Sequence, residues 1–243
     1  MIIKVWQSIS RFWATDHGLS IFLVMIVVVA FVLPPLASLG ILGRLIIDIF
    51  FSMLLISGIA AMSLRRSIFV TLVGISIVAL VVRWIDSFNT SPLLDVMNHL
   101  ATITIIILFS IAALTQVMKR GPTTVHRIEG AIAVYLLLGL AWGQAYGLIE
   151  YLNPGAFTGA ATNLGRFSSW TYFSFVTLAT LGYGDIVPVH PVARSLAVAE
   201  AITGPLYLAI LIARLVSKEL YYQASKEEDA IRDFPRNETP GKS

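Results

Sequence analysis

The chain has 243 residues, of which 57% are hydrophobic and only 13% are charged. Soluble domains carry about 25% charged residues, so this composition places the chain in a membrane. Six helices of about 20 residues fill much of the chain and exclude a large soluble catalytic or ligand-binding domain. The formal net charge of +3 comes from short segments beside apolar runs, which favours membrane lipids over nucleic acid as the partner.

Metal and redox chemistry have little support in the sequence. The chain has no cysteine, which removes disulfides, thiolate nucleophiles and thiolate metal ligands together. Its four histidines share no spacing typical of metal ligands. The predicted spans also lack a nucleophile beside a base, so we expect neither a cofactor nor an enzymatic activity.

Six apolar segments predict an all-α membrane protein with six transmembrane helices. The first covers residues 19–33 and stops at Pro34 and Pro35. The other five cover residues 41–64, 67–82, 93–118, 128–149 and 192–216. A polar, glycine-rich interval separates the fifth segment from the sixth.

Basic residues lie mostly at those ends of the predicted spans that share one side of the membrane. These residues are Arg65, Arg66, Lys119, Arg120, Arg127, Arg214 and Lys218. An even number of spans also puts both termini on that side. The excess of positive charge predicts that both termini are cytoplasmic in a cell membrane, either a plasma membrane or a bacterial inner membrane.

The two ends of the chain are predicted to lie outside the bilayer. Residues 1–17 carry apolar side chains at helical spacing, which predicts an amphipathic helix in the membrane interface or, equally, a frayed terminus. Residues 217–243 mix charges of both signs, so the last helix is expected to run a few turns into water before order is lost. This tail is too short for a soluble ligand-binding domain.

The interval between the fifth and sixth segments begins with a short apolar helix. Residues 170–179 contain no Gly or Pro, and Ser168 or Ser169 is the expected N-cap. At 1.5 Å per residue, such a helix is too short to cross a bilayer of about 30 Å. It has to enter the membrane and return, and non-helical backbone is tolerated there only if protein buries it or water lies beside it.

The returning segment is Thr-Leu-Gly-Tyr-Gly-Asp, residues 180–185. Four extended strands around an axis surround a dehydrated cation with oxygens only if successive carbonyls point inward. That arrangement needs left-handed backbone at alternate positions, which Gly182 and Gly184 accept without a Cβ clash. Thr180 adds a hydroxyl at the inner mouth. The segment therefore predicts a filter with several cation sites in file.

This segment resembles the selectivity-filter signature of the tetrameric potassium channel superfamily. The resemblance implies K⁺ sites at Thr180, Leu181, Gly182 and Tyr183, with Gly184 completing the filter. It also implies four residues that support the filter, namely Asp185, Tyr172, Phe173 and Thr177. Tyr172 and Phe173 fall where the family has its aromatic cuff. The resemblance leaves undecided whether Tyr172 and Asp185 form a hydrogen bond. Leu181 replaces the usual valine, and its side chain is expected to pack behind the filter.

Two further features of the last segment bear on the pore. Glu200 is a lone carboxylate in the bilayer, so it has to be hydrogen-bonded or protonated. We favour a position behind the filter, packed against the pore helix, over a position in contact with the ions. Gly204 and Pro205 interrupt the segment where inner helices of this family bend. They form either a hinge for a cytoplasmic gate or a fixed kink.

Charges in the earlier segments do not form a voltage sensor. Residues 101–118 carry no basic side chain, whereas voltage-sensing relatives carry one at every third position. Arg44 and Asp48 are spaced for an intrahelical pair, and Arg83 is expected to extend outward to the membrane surface.

The resemblance implies a potassium-selective channel subunit that forms a homotetramer and conducts K⁺ passively without steep voltage gating. The predicted domains are a four-helix unit over residues 18–120, similar to a voltage-sensor domain without its charges, and a pore domain over residues 121–216. Other readings are a weakly selective cation channel, if Leu181 loosens the filter, a secondary transporter, and a non-conducting accessory subunit.

Overall fold

The computed structural model describes residues 17–61, 66–88, 91–118, 125–159 and 166–232. Within these ranges the chain is helical apart from two short strands and their connections. The helices are α1 (His17–Val27), α2 (Ile41–Ala61), α3 (Arg66–Phe88), α4 (Pro92–Val117), α5 (Val125–Leu152), α6 (Arg166–Leu178) and α7 (Pro191–Arg232). The strands are β1 (Phe157–Gly159) and β2 (Ile186–Pro188), which flank α6 in the sequence. The predicted interfacial helix and the end of the tail lie outside the described residues.

Five of these helices, α2, α3, α4, α5 and α7, are long and apolar enough to cross a membrane. The first predicted span is shorter, because α1 ends at Val27 and a π-helical turn (Val28–Val32) and a 3₁₀ turn (Pro34–Leu39) follow. Pro34 begins the 3₁₀ turn, so the prolines end the helix as predicted. The described ranges therefore contain five full-length candidate spans and one shorter apolar helix, Gly18–Val32.

Helices α1 to α5 surround one apolar core. The rings of Phe22 and Phe109 meet in it with their centroids 5.7 Å apart. Gly58 makes room for both, because a Cβ there would lie 2.8 Å from each ring. The largest fully buried side chains of this cluster are Phe22, Phe109, Ile26, Leu33, Leu54, Leu55, Ile105, Ile106 and Leu137. This core joins α5 to the four helices before it.

Helices α2 and α3 are joined by a buried ion pair. Arg83 Nε donates a hydrogen bond of 2.6 Å to Asp48 Oδ1, and the two side chains are only 11% and 7% exposed. The guanidinium also lies 4.4 Å from the ring centroid of Phe51. The predicted outward position of Arg83 is therefore wrong, and Asp48 has a partner on another helix. Pairing across helices neutralises two charges that would otherwise lie apart in the apolar core.

We expect Asp48→Asn to destabilise the fold by about 3–5 kcal/mol, because it leaves the buried Arg83 charge without a partner. The double variant Asp48→Leu with Arg83→Met removes both charges and should recover most of that loss. Equilibrium unfolding in detergent measures both free energies. A single variant as stable as the wild-type protein would contradict this account of the pair.

Helix α7 is the longest element and continues without a break across Pro205 to Arg232. Past its apolar part, Lys218 Nζ donates to the carbonyl oxygens of Val117 and Met118 at 3.4 Å. A cation at the C-terminal end of a helix satisfies carbonyls that have no partner within the helix. Lys218 thereby ties the far part of α7 to the end of α4.

Candidate pore loop

The short helix α6 lies against a stripe of glycines on α5. Gly139, Gly143 and Gly147 are spaced by four and so share one face of that helix. A Cβ at Gly139 would lie 2.5 Å from the Phe175 ring. Cβ atoms at Gly143 and Gly147 would lie 3.2 Å and 3.1 Å from Trp170. The absence of side chains on this face lets the two helices approach closely.

The start of α6 differs from the prediction. The helix begins at Arg166, so Ser168 and Ser169 lie in its first turn and neither is the N-cap. Phe167, one residue into the helix, packs against the core shared by the first five helices. Tertiary packing therefore starts the helix earlier in the sequence than the two serines that the local capping preferences select.

The end of α6 leads directly into the returning strand. Thr180 N donates to Thr177 O at 2.9 Å, and Leu181 N donates to Val176 O at 2.8 Å. This pair of bonds is a Schellman motif, in which the residue after the cap adopts left-handed backbone. Thr180 holds that position with φ of 57°. The turn that ends the helix thus sets the first backbone angle of the strand.

Left-handed backbone recurs at alternate positions along residues 180–184. After Thr180, Gly182 has φ of 58° and Gly184 has φ of 77°. The predicted angles at both glycines are confirmed, whereas the same angle at Thr180 is an addition that the sequence analysis lacks. Leu181 and Tyr183 between them are 57% and 67% exposed in the single chain. Leu181 lines a cleft beside α6 with Tyr172 and Val176.

The two residues of the predicted aromatic cuff have different surroundings. The Tyr172 ring stacks on the Tyr183 ring, with centroids 6.5 Å apart and planes 11° apart. The stack places Tyr172 beside the segment that ends at Asp185, and the hydrogen bond between these two residues stays a prediction. Phe173 faces the other way and packs on Tyr146, 4.9 Å between centroids. Within one chain, Tyr172 therefore contacts the strand and Phe173 anchors α6.

A two-stranded clasp holds the segment after the filter. Strands β1 and β2 pair antiparallel, with Phe157 opposite Pro188 and Gly159 opposite Ile186. A Cβ at Gly159 would collide with the carbonyl oxygen of Asp185, so only glycine fits there. The Asp185 carboxylate accepts a hydrogen bond from Ile186 N at 3.1 Å. This clasp fixes the point at which the chain leaves residues 180–185.

Glu200 joins three helices behind the loop, as the preferred prediction had it. Its carboxyl group lies in α7 and is fully buried. Tyr146 of α5 donates to Glu200 Oε2 at 2.5 Å, and Ser174 of α6 lies 2.6 Å from Glu200 Oε1. Ser174 Oγ is also 2.6 Å from the carbonyl oxygen of Gly139. We call these four residues the Glu200 cluster.

Gly204, which the sequence analysis places at a hinge or a fixed kink, has a packing role in the structure. A Cβ at Gly204 would lie 2.0 Å from the carbonyl oxygen of Leu178, the last residue of α6. The glycine is therefore needed for close contact between α7 and the end of the pore helix. Tyr135 of α5 donates to the same carbonyl oxygen at 3.4 Å.

Sequence reasoning does not find the residues that fix α6 in place. These are the glycine stripe of α5 together with Tyr146 and Ser174. The spacing of four between Gly139, Gly143 and Gly147 is a visible signal for close helix packing. No comparable signal marks Ser174, because serine within an apolar helix usually bonds its own backbone.

A short helix followed by a returning segment, set between two apolar helices, is the arrangement that the sequence analysis predicts for a pore-loop ion channel. Residues 134–219, which include this loop and large parts of both flanking helices, match the profile of a family described as Ion channel. This part of the chain is therefore similar to ion channels. The match also agrees with the prediction of a channel rather than an enzyme, and the apolar helices agree with a multi-pass membrane protein.

Three relatives illustrate the similarity. Two-pore potassium channel 4 of Arabidopsis thaliana is 37% identical over 112 residues, which are 46% of this chain and 37% of the relative. The inward rectifier potassium channel Kirbac3.1 of Paramagnetospirillum magnetotacticum is 38% identical over 78 residues, 32% of this chain and 22% of the relative. Protein LctB of Bacillus caldotenax is 30% identical over 87 residues, 34% of this chain and 64% of the relative.

The chain thus spans less than two thirds of the length of each of these relatives. No solved structure gives a significant match.

We expect Gly204→Ala to destabilise the protein by about 1–3 kcal/mol, because the added methyl meets the Leu178 carbonyl and overpacks the contact. Gly74→Ala in α3 is the matched control, since a Cβ there has nothing within 4 Å. The control should be neutral or stabilising by up to about 1 kcal/mol through helix propensity. Equal effects of the two variants on thermal unfolding in detergent would refute the role of Gly204 in packing.

Proposed function

We propose that four copies of this chain form a potassium-selective pore whose filter is residues 180–184. The observation that carries the proposal is the left-handed backbone at Thr180, Gly182 and Gly184, at alternate positions of an exposed strand. Such alternation turns successive carbonyl oxygens to one side of the strand, where they replace the water around a dehydrated cation. The relatives named as potassium channels support K⁺ as that cation.

The surroundings of the filter support its ion-binding role. The Tyr172 ring stacks on Tyr183, so the outer half of the strand is held from behind. Thr177 accepts the bond that fixes Thr180, at the inner half. In this proposal K⁺ is coordinated at Thr180, Leu181, Gly182 and Tyr183 and passes without any cofactor.

The number of carbonyl oxygens needed to surround a cation leads to a homotetramer. One strand provides a quarter of a closed ring, and identical subunits close such a ring by rotation about one axis. In the single chain, apolar side chains of α7 are exposed along its length, among them Val198, Ile202, Leu206 and Ile210. Neighbouring subunits and lipid would cover these side chains. Gly204 and Pro205 then lie in the helix beside the central cavity, where a hinge would open the cytoplasmic end.

The same proposal includes the predicted topology. Six spans, with α1 as the shortest, place both termini in the cytoplasm of a plasma or bacterial inner membrane. Residues 18–120 form the four-helix unit and residues 121–216 form the pore domain.

We expect liposomes that contain the protein to conduct K⁺ far better than Na⁺, and Gly182→Ala to abolish the difference. A Cβ at Gly182 meets nothing within 4 Å, but its φ of 58° strains any L side chain by about 1–2 kcal/mol per residue. Radioactive K⁺ and Na⁺ uptake and reversal potentials in mixed salts measure the selectivity.

Gly155→Ala is the matched control for this variant. Gly155 also has positive φ, 87°, and an open surrounding, but it lies in the turn before β1. Its substitution should leave the ratio of K⁺ to Na⁺ flux unchanged. Equal K⁺ and Na⁺ flux through the wild-type protein would instead favour the weakly selective cation channel. Slow, saturable flux without single-channel steps would favour the transporter.

We also expect no steep voltage dependence. Helix α4 carries no Lys or Arg, and the Arg83 charge is neutralised by Asp48. Voltage sensors move about 3–4 charges per subunit, so the conductance of this protein should report far fewer. The slope of tetramer conductance against voltage in planar bilayers gives this number. A fitted value of several charges per subunit would rule out the proposal for the four-helix unit.

A further inference from the structure

The Glu200 cluster contains three short contacts between oxygen atoms, but the hydroxyl groups of Tyr146 and Ser174 supply only two protons for hydrogen bonds. Ser174 Oγ lies 2.6 Å from both the Gly139 carbonyl oxygen and Glu200 Oε1. Tyr146 OH lies 2.5 Å from Glu200 Oε2. These are three short oxygen–oxygen contacts between three side chains and one backbone carbonyl.

Counting protons assigns the charge of Glu200. Tyr146 and Ser174 bring one hydroxyl proton each, and a carbonyl brings none. If Glu200 is ionised, only two protons are available for the three contacts. Ser174 can then donate to only one of its two neighbours, and its contact with the other neighbour joins two oxygens without a proton between them. With a protonated Glu200, its hydroxyl donates to Ser174, Ser174 donates to Gly139 O, and Tyr146 donates to the remaining carboxyl oxygen. All three contacts are then hydrogen bonds.

The other groups around Glu200 agree with a neutral acid. The elements packed against it bring Tyr146 and Tyr135 from α5 and Ser174 from α6 as polar or titratable groups. The ion pairs of the described residues do not include Glu200. A fully buried carboxylate without a cation costs several kcal/mol, which a proton removes.

We propose that Glu200 is a neutral carboxylic acid whose proton links the pore helix to α5 and α7, and that loss of this proton at alkaline pH stops conduction. This inference rests on the proposed function, because it describes regulation of the same filter. Removal of the proton leaves two oxygens facing each other at 2.6 Å, so Ser174 has to release either Glu200 or Gly139. Ser174 precedes Thr180 by fewer than two helical turns, so this shift reaches the strand directly.

The sign of the pH dependence follows from the protonated state. K⁺ flux should be highest where Glu200 holds its proton and should fall as the pH rises. Well above the midpoint, the protonated fraction falls about tenfold per pH unit, and the flux should fall at least as steeply because four subunits share one filter.

Glu200→Gln tests this mechanism because an amide keeps the shape, donates to Ser174 and accepts from Tyr146 without a removable proton. K⁺ flux of this variant in liposomes should resemble that of the wild-type protein at neutral pH and should no longer fall at alkaline pH. Glu219→Gln, at a half-buried position near the C-terminal end of the same helix, is the control and should keep the wild-type pH profile. Identical pH profiles for the wild-type protein and Glu200→Gln would overturn the proposal.

A second measurement needs no active variant. Infrared spectroscopy of the wild-type protein should show the C=O band of a protonated carboxylic acid that disappears at the pH where flux is lost. Absence of this band at neutral pH would overturn the assignment of the proton. If the wild-type protein conducts no K⁺ at any pH, the proposed function fails, and the infrared band still decides the state of Glu200.

Discussion

A bilayer has no water for unpaired backbone groups, so the strand after α6 exists only because the surrounding protein determines each of its angles. The Schellman turn at Thr180 ends the pore helix and starts the alternation that Gly182 and Gly184 continue. Beyond Asp185, the clasp of β1 and β2 holds the other end. The strand is therefore fixed at both ends by backbone hydrogen bonds.

The position of α6 depends on contacts between backbones. The glycine stripe of α5 supports one side of the helix, and Gly204 of α7 meets the carbonyl oxygen of Leu178 at its end. Close approach of this kind is how helices associate in membranes, where burial of apolar surface gives little driving force. The Glu200 cluster adds polar bonds to the same three helices, so packing and hydrogen bonding fix the pore helix together.

The pore loop could be predicted from the sequence because its constraints are local. Glycines at alternate positions and a helix too short to span leave few other structures for residues 170–185. Contacts between distant segments could not be predicted in this way. The partner of Asp48 is Arg83 on another helix, and spacing within one helix cannot find it. The left-handed angle of Thr180 arises from helix capping, and threonine gives no signal for it.

The short first helix has a consequence for the lipids around it. The apolar stretch Gly18–Val32 rises by only about 23 Å at 1.5 Å per residue, against a hydrocarbon thickness of about 30 Å. Thinning of the bilayer beside this helix accommodates such a hydrophobic mismatch at a modest cost. The Phe31 ring, at the end of this stretch, lies 5.0 Å from the ring of Phe175 on the pore helix. Any change in bilayer thickness beside this helix therefore reaches α6 through the contact between Phe31 and Phe175.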